Sequence, residues 1–280
     1  MLDLWAEAWV LGYRAFFAPA CPATVAEHVN KHAKLIAALW RDPTDTSTLR
    51  VLADAWAEAG DPRGEWVQLW LAKGRTYQRE LRKKALLANS GRLVGPAGRF
   101  LREWRFGDNG LVARARCEAD KLAEGIAEIE QLNPELWLTV TSLKKRATIA
   151  AVAKVSLSKL YFVAFTMGVI GSNAGSNLDD KALVGIAPAF RGVRRIALQA
   201  RGFRDDCFGP EALRTFADLL DDVAFFALDH AIDARPIRPA LPPIDDYLAV
   251  LDGHKAFKKA TIVVGYKNLP KTQAAMRAFG

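Results

Sequence analysis

The segments 193–199, "VRRIALQ", and 223–229, "VAFFALD", carry one pattern: an apolar residue, two others, an apolar, one other, an apolar. Val193, Ile196 and Leu198 hold those places in the first, Val223, Phe226 and Leu228 in the second, and Leu157, Leu160 and Phe162 repeat them in "LSKLYFV". Alternating apolar side chains over a short run predict a strand with one face on a core. Candidate strands of this texture are 111–117 "LVARARC", 136–141 "LWLTVT", 160–165 "LYFVAF", 195–200 "RIALQA", 225–230 "FFALDH" and 260–265 "ATIVVG". Helical spacings fall between them: Leu122, Ile126 and Ile129; Ile149 and Val152; Leu183, Val184 and Ile186; Leu213, Phe216 and Leu220; Tyr247, Leu248 and Leu251. Strand, helix, strand in sequence implies right-handed crossovers and parallel pairing.

Residues up to about 105 read instead as helices throughout. In "TDTSTLRVLADAWAEAGDPRGEWVQLWLA", Thr46 and Ser47 are N-cap candidates, Leu49, Leu52, Ala53 and Trp56 follow at helical spacing, and Gly60 suits the C′ position. Asp61 can cap a second helix that starts on Pro62, where a missing N–H costs nothing. The expected product is an antiparallel helical hairpin with Trp56, Trp66, Leu69 and Trp70 turned inward. Beyond it, "GDNG" at 107–110 lies between two alternating runs and predicts a β-hairpin turn, with Asn109-Gly110 supplying positive φ.

The 280 residues, 51% apolar, suffice for one large or two ordinary domains with a real core. No apolar run approaches the roughly 18 residues that span a bilayer, and the start carries Asp3 and Glu7 where a secretory signal would be basic, so a cytoplasmic protein without a membrane partner is expected. Cys21, Cys117 and Cys207 are odd in number and widely spaced, which points to neither a disulfide framework nor a zinc knuckle. The net charge of +8 makes nucleic acid or an acidic protein a conceivable partner. Its excess is densest between Lys73 and Arg105, where Arg75, Arg79, Arg82 and Lys83 are the candidate nucleic-acid contacts; the alternative is a solvated helix face.

"VLADAWAEAGDPRGEWVQLWLA" followed by "LRKKALLANSGRLVGPAGRFLREWRFGDNGLV" resembles the repeat-companion domain that some bacterial proteins, particularly myxobacterial and planctomycete ones, carry directly ahead of leucine-rich repeats. The resemblance covers roughly residues 46–117. Its most specific part is Leu52, Ala53, Asp54, Trp56, Glu58 and the run Gly60-Asp61-Pro62-Arg63-Gly64-Glu65. It implies an interaction protein and brings no catalytic residues. The strand pattern fits: from Ala115 through Leu136, Leu160, Ile196, Phe226 and Ala260 the steps are 21, 24, 36, 30 and 34 residues, bracketing the leucine-rich-repeat period of roughly 20–29 with insertions. Residues 1–45 lie outside the resemblance. Thr141, Phe165, Arg201 and Ala231 stand where such repeats carry a buried Asn or Cys, so the loops after the strands must be satisfied by other groups.

Chemistry is weakly signposted. His28 and His32 stand four apart on an expected helix, but Val29 takes the place of the zincin glutamate and no third ligand is marked. "GVIGSNAGSN" at 168–177 follows a strand yet lacks the Gly-Lys-Ser/Thr ending and the GxGxxG spacing, and reads as an insertion. The Asp pairs 179–180, 205–206, 221–222 and 245–246 point apart on helix or strand, so caps and surface charges are expected rather than a metal clamp. No cofactor is implied.

The expected fold is α/β: an all-helical domain over 1–105, with the repeat-companion hairpin from 46, then a short leucine-rich-repeat-like solenoid of parallel strands over 106–280. Residues alternating with the core set would line its inner face. The expected partner site there is Trp137, Tyr161, Phe165, Arg195, Gln199, Phe225 and Asp229, aromatics beside charge as at protein-binding hot spots; the alternative is that another part of the chain covers this strip. The first functional reading is thus a non-enzymatic adaptor that binds a protein. The second is nucleic-acid binding through the basic helices, and the third an enzyme on a doubly wound sheet with an unrecognised site.

Overall fold

A computed structural model of the chain describes residues 33–143, 145–165, 178–201, 208–231, 243–266 and 276–278. It is a mixed α/β protein in two compact units, the described residues of one lying within 33–139 and 159–161 and those of the other within 140–158 and 162–278. The division falls inside one strand.

The first unit holds α1 (Ala33–Arg41), α2 (Thr46–Glu58), α3 (Pro62–Leu71), α4 (Tyr77–Leu87), α5 (Ser90–Val94), β1 (Leu101–Phe106), β2 (Val112–Glu118), α6 (Ala119–Ile129) and the start of β3 (Trp137–Thr141). Its centre is the α2–α3 hairpin. Asp45 rather than Thr46 or Ser47 caps α2, its carboxylate accepting from the backbone N–H groups of Ser47 at 2.9 Å and Thr48 at 3.1 Å. Both expected residues already lie in the helical turn, where their own N–H groups need an acceptor. Gly60 ends the helix at φ +71°. Asp61 then caps α3 through the Arg63 N–H at 2.9 Å, with Pro62 at the first helical position.

The same Asp61 carboxylate accepts from Nε of Arg63 at 2.9 Å and Nη2 at 2.5 Å, and both residues are buried. The Arg63 guanidinium also lies 4.5 Å from the Trp56 ring centre. A Cβ on Gly64 would sit 2.3 Å from the Ala57 nitrogen and 2.5 Å from the Ala53 oxygen, so α2 and α3 touch backbone to backbone. Trp56 and Trp66 are buried as expected, and Val67 is buried where Leu69 had been expected. The Trp66 indole N–H donates to the Gly110 carbonyl at 2.8 Å, tying the hairpin helices to the β1–β2 turn.

That turn departs from expectation in one residue. Gly110 alone has positive φ, +79°, while Asn109 stays on the ordinary side and its Oδ1 accepts from the Leu111 N–H at 3.0 Å. The Gly110 N–H bonds to the Gly107 carbonyl and the Gly107 N–H to the Leu111 carbonyl, a three-residue loop closed by a left-handed glycine. Antiparallel pairing of β1 with β2 makes Leu101–Phe106 a strand inside the stretch expected to be helical.

The second unit holds α7 (Arg146–Val152), β4 (Phe162–Phe165), α8 (Asp180–Ile186), β5 (Arg195–Arg201), α9 (Pro210–Ala217), β6 (Phe225–Ala231), α10 (Ile244–Asp252), β7 (Thr261–Tyr266) and β8 (Met276–Ala278). Strands β4, β5, β6 and β7 are parallel neighbours in chain order, and β8 adds an antiparallel edge. One face packs on the helices: the Phe165 ring lies 5.3 Å from Phe190, Phe190 lies 5.1 Å from Phe216 in α9, and Phe226 lies 5.0 Å from Phe257.

The ladder corrects the reading of β4. Val163 pairs with Ile196 and Phe165 with Leu198, so Val163 and Phe165 join the helix-side core while Phe162 and Ala164 take the other face. The run Leu160–Phe165 is almost wholly apolar and satisfies the repeat pattern either as Leu157, Leu160, Phe162 or as Leu160, Val163, Phe165. These differ by three places, and an odd shift exchanges the two faces. Side chains from adjacent helices hold the segment leading into α9: Asp180 accepts from the Gly209 N–H at 2.6 Å, and the buried Tyr247 hydroxyl donates to the Phe208 carbonyl at 2.7 Å.

Two measurements test this packing. Gly64→Ala should cost about 1–3 kcal/mol or more in chemical denaturation because backbone has no rotamer to yield, whereas Gly253→Ala, whose Cβ would meet nothing closer than 3.7 Å, should stay within about 0.5 kcal/mol. The Ser47 and Thr48 hydroxyls, with the backbone N–H groups, hold the Asp45 carboxyl at about 2, below its ordinary 3.8. Its stabilisation is therefore present above about pH 4 and lost as pH falls towards 2, so the stability gap between wild type and Asp45→Ala should narrow across that window and stay level above it.

Candidate interaction site

On the face of the second unit away from its helices, side chains fall into registered rows. Arg195, Phe225 and Thr261 are successive partners in the ladder, and so are Ala164, Ala197, Ala227 and Val263. The Phe162 ring lies 5.8 Å from that of Phe225. The two rows differ in exposure. Ala164, Ala197, Ala227 and Phe162 are all below 5% exposed, while Val263 at the end of the alanine row is half-buried. Arg195 and Phe225 are half-buried and Thr261 is exposed, leaving the row at the strand entrances in contact with solvent.

The expected site residues therefore separate. Arg195 and Phe225 are neighbours in one row. Phe165 leaves the site as a correction: it is 2% exposed and packed on Phe190, for the reason of strand parity given above. Gln199 and Asp229 are partners in the β5–β6 ladder. Trp137 and Tyr161 belong to the first unit. Trp137 is half-buried with the Arg114 guanidinium 5.2 Å from its ring centre, and Tyr161 is 38% exposed just ahead of β4. The repeat pattern in the sequence puts Phe162 in the core and does not mark Arg114. The parity of the β4 pairing brings Phe162 to this face, and only the adjacency of strands brings Arg114 to a tryptophan.

The basic region is largely committed to the fold. One Arg79 nitrogen donates to the carbonyls of Ala72, Lys73 and Gly74, closing the segment after α3. Arg82 makes two hydrogen bonds to the Glu65 carboxylate and holds it below the usual range. The Lys83 ammonium lies 4.1 Å from the Trp70 ring centre with its side chain 14% exposed, and Glu80 is 3.6 Å away. Arg75 is exposed and has no hydrogen bond or ion pair among the described residues. Three of the four candidate nucleic-acid contacts thus already have partners within the unit.

Burial pushes the Cys117 thiol up, which makes it a core side chain rather than a nucleophile. Among the described residues no group of three or more His, Cys, Asp or Glu side chains is placed to hold a metal. Asp179 caps α8, Asp180 holds Gly209, Asp222 pairs with Arg194 at 3.2 Å, and Asp245 and Asp246 lie in the first turn of α10. His28, His32, Asp205, Asp206 and segment 168–177 lie outside the described residues. The enclosed hollow lined by Trp56, Arg63, Val67 and Leu93 is of water size. From β4 to β7 the strand order never reverses, so these strands offer no switch-point crevice of the kind doubly wound enzymes use. No described helix is long and apolar enough to cross a membrane.

Compared with known protein families, curated proteins and solved structures, the chain matches none.

The internal partners of the basic helix yield a prediction. Reversing Arg79, Arg82 and Lys83 together to Glu should clearly lower Tm, because it removes three tethers at once. Reversing Lys73, Arg75 and Lys84, which are exposed and make no hydrogen bond or ion pair among the described residues, should leave Tm unchanged within error. Thermal unfolding of the two triple variants followed by circular dichroism checks this.

Proposed function

We propose that the chain is a non-enzymatic protein-interaction module of the cytoplasm, built as a helical repeat-companion-like domain followed by a short leucine-rich-repeat-like solenoid. The support for a repeat architecture is local and recurrent. Consecutive parallel strands stay in chain order and in register. The Phe225 N–H bonds back to the Arg194 carbonyl and the Thr261 N–H to the Ala224 carbonyl, the same tie made twice at successive strand entrances. Where repeats of this kind carry a buried Asn or Cys, Asp180 and Tyr247 satisfy the backbone ahead of α9. Each unit of such an array touches its neighbours and presents one continuous face.

The observation that carries the functional reading is the solvent-touching row Arg195, Phe225 and Thr261 beside Phe162. A half-buried aromatic next to a guanidinium is the composition of an interface anchor. The partner site is thus the strand-entrance row of the second unit, not the buried alanine row beside it.

A partner recovered with the intact chain from its native cells and identified by mass spectrometry supplies the reagent for the test. Phe225→Ala and Arg195→Ala should weaken its binding roughly tenfold or more, with Tm nearly unchanged. Phe165→Ala should do the reverse and cost roughly 3–5 kcal/mol of stability, since it empties a packed site. If Phe225→Ala unfolds the protein and leaves binding by the residual folded fraction intact, the row is core and the reading fails.

A further inference from the structure

Helix α4 is inverted over part of its surface. None of its residues is buried, and two of its charged side chains face the unit: Arg79 reaches the carbonyls after α3 and Lys83 lies over Trp70. Leu86 packs against the hairpin core, but the other large apolar side chains do not. Of the five large hydrophobic residues exposed among the described residues, three are on this helix: Tyr77 at 78%, Leu81 at 47% and Leu87 at 44%. Tyr77, Leu81 and Ala85 recur every fourth residue, with Ala88 just past the helix, so they form one ridge about three turns long. Exposing such a ridge costs solubility and contributes nothing to the unit's own core.

Charge around the ridge decides what fits it. Lys73, Arg75 and Lys84 are exposed beside it and make no hydrogen bond or ion pair among the described residues, while the helix's one acid, Glu80, faces Lys83. A second copy of this chain would bring cations against cations. Nucleic acid would use the cations and leave the ridge idle. We propose that α4 docks an acidic amphipathic helix of a protein partner, whose apolar stripe covers Tyr77 and Leu81 and whose flanking carboxylates meet Lys84 and Arg75. This surface belongs to the first unit and is independent of the strand-entrance row.

The probe is a synthetic helical peptide of about four turns with leucines at positions i, i+4 and i+7 and glutamates on the flanks. Its counterpart replaces every glutamate by lysine. Titrated into the full-length chain, the acidic peptide should bind, more weakly as salt rises, and the basic peptide should not. Tyr77→Ser with Leu81→Gln should cut binding tenfold or more without moving Tm, because both side chains are exposed. Lys84→Glu with Arg75→Glu should weaken the acidic peptide and admit the basic one, a reversal that a loss of fold cannot produce. Failure of the acidic peptide to bind, or binding indifferent to Leu81→Gln, overturns the proposal. So does tighter capture of a random-sequence DNA duplex or of phosphatidylserine vesicles, and so does a Leu81-dependent dimer in sedimentation equilibrium.

Discussion

A side chain in a registered parallel sheet has its face chosen by the parity of its position, and the second unit depends on this constraint. Once Val163 is set opposite Ile196, every residue from Phe162 to Phe165 is assigned, and with it the aromatic path from Phe165 through Phe190 to Phe216. The small residues follow from the same rule. Ala164, Ala197 and Ala227 line up because the strands are in register, and all three are buried, whereas Arg195 and Phe225 in the neighbouring row are half-buried.

The first unit rests on a different contact, the touching backbones of α2 and α3 at Gly64. That approach places Arg63 beneath Trp56, where its charge is tolerable because Asp61 accepts two of its hydrogen bonds. Gly95, at φ +66°, sits against the same guanidinium, and a Cβ there would lie 3.3 Å from it. Farther out, Glu65 reaches Arg82, Gln68 reaches Asp54 at 2.7 Å, and Trp66 reaches Gly110. Each member of Gly60-Asp61-Pro62-Arg63-Gly64-Glu65 therefore has a structural task, which accounts for so specific a motif.

The basic character of residues 73–105 has a related explanation. In α4 two of the charges are not on the solvent side; Arg79 and Lys83 stabilise carbonyls and an indole that the helix covers, while Lys84 stays exposed. Burying those stems and leaving Tyr77 and Leu81 outside inverts the usual helix. Composition reports such a helix as merely cationic, because it counts charges without their direction.

By itself the sequence determined what depends on neighbours along the chain: the places of the six strands and the helices between them, the α2–α3 hairpin with its Gly60 and Asp61 signals, and the turn at Gly110. These are set by side-chain period and by local dihedral preference, both of which act within a few residues. Tertiary structure decided the rest. Leu160–Phe165 is apolar at almost every position, so only pairing with Ile196 and Leu198 could tell Phe162 from Phe165. The strand Leu101–Phe106 needed β2 beside it, and Asp45 needed the folded turn to show that it, not Thr46, is the cap. The pairing of Arg195 with Phe225 was legible because both lie in strands of unambiguous parity; the partners of Arg79, Arg82 and Lys83 arise from contacts between residues that the sequence leaves apart.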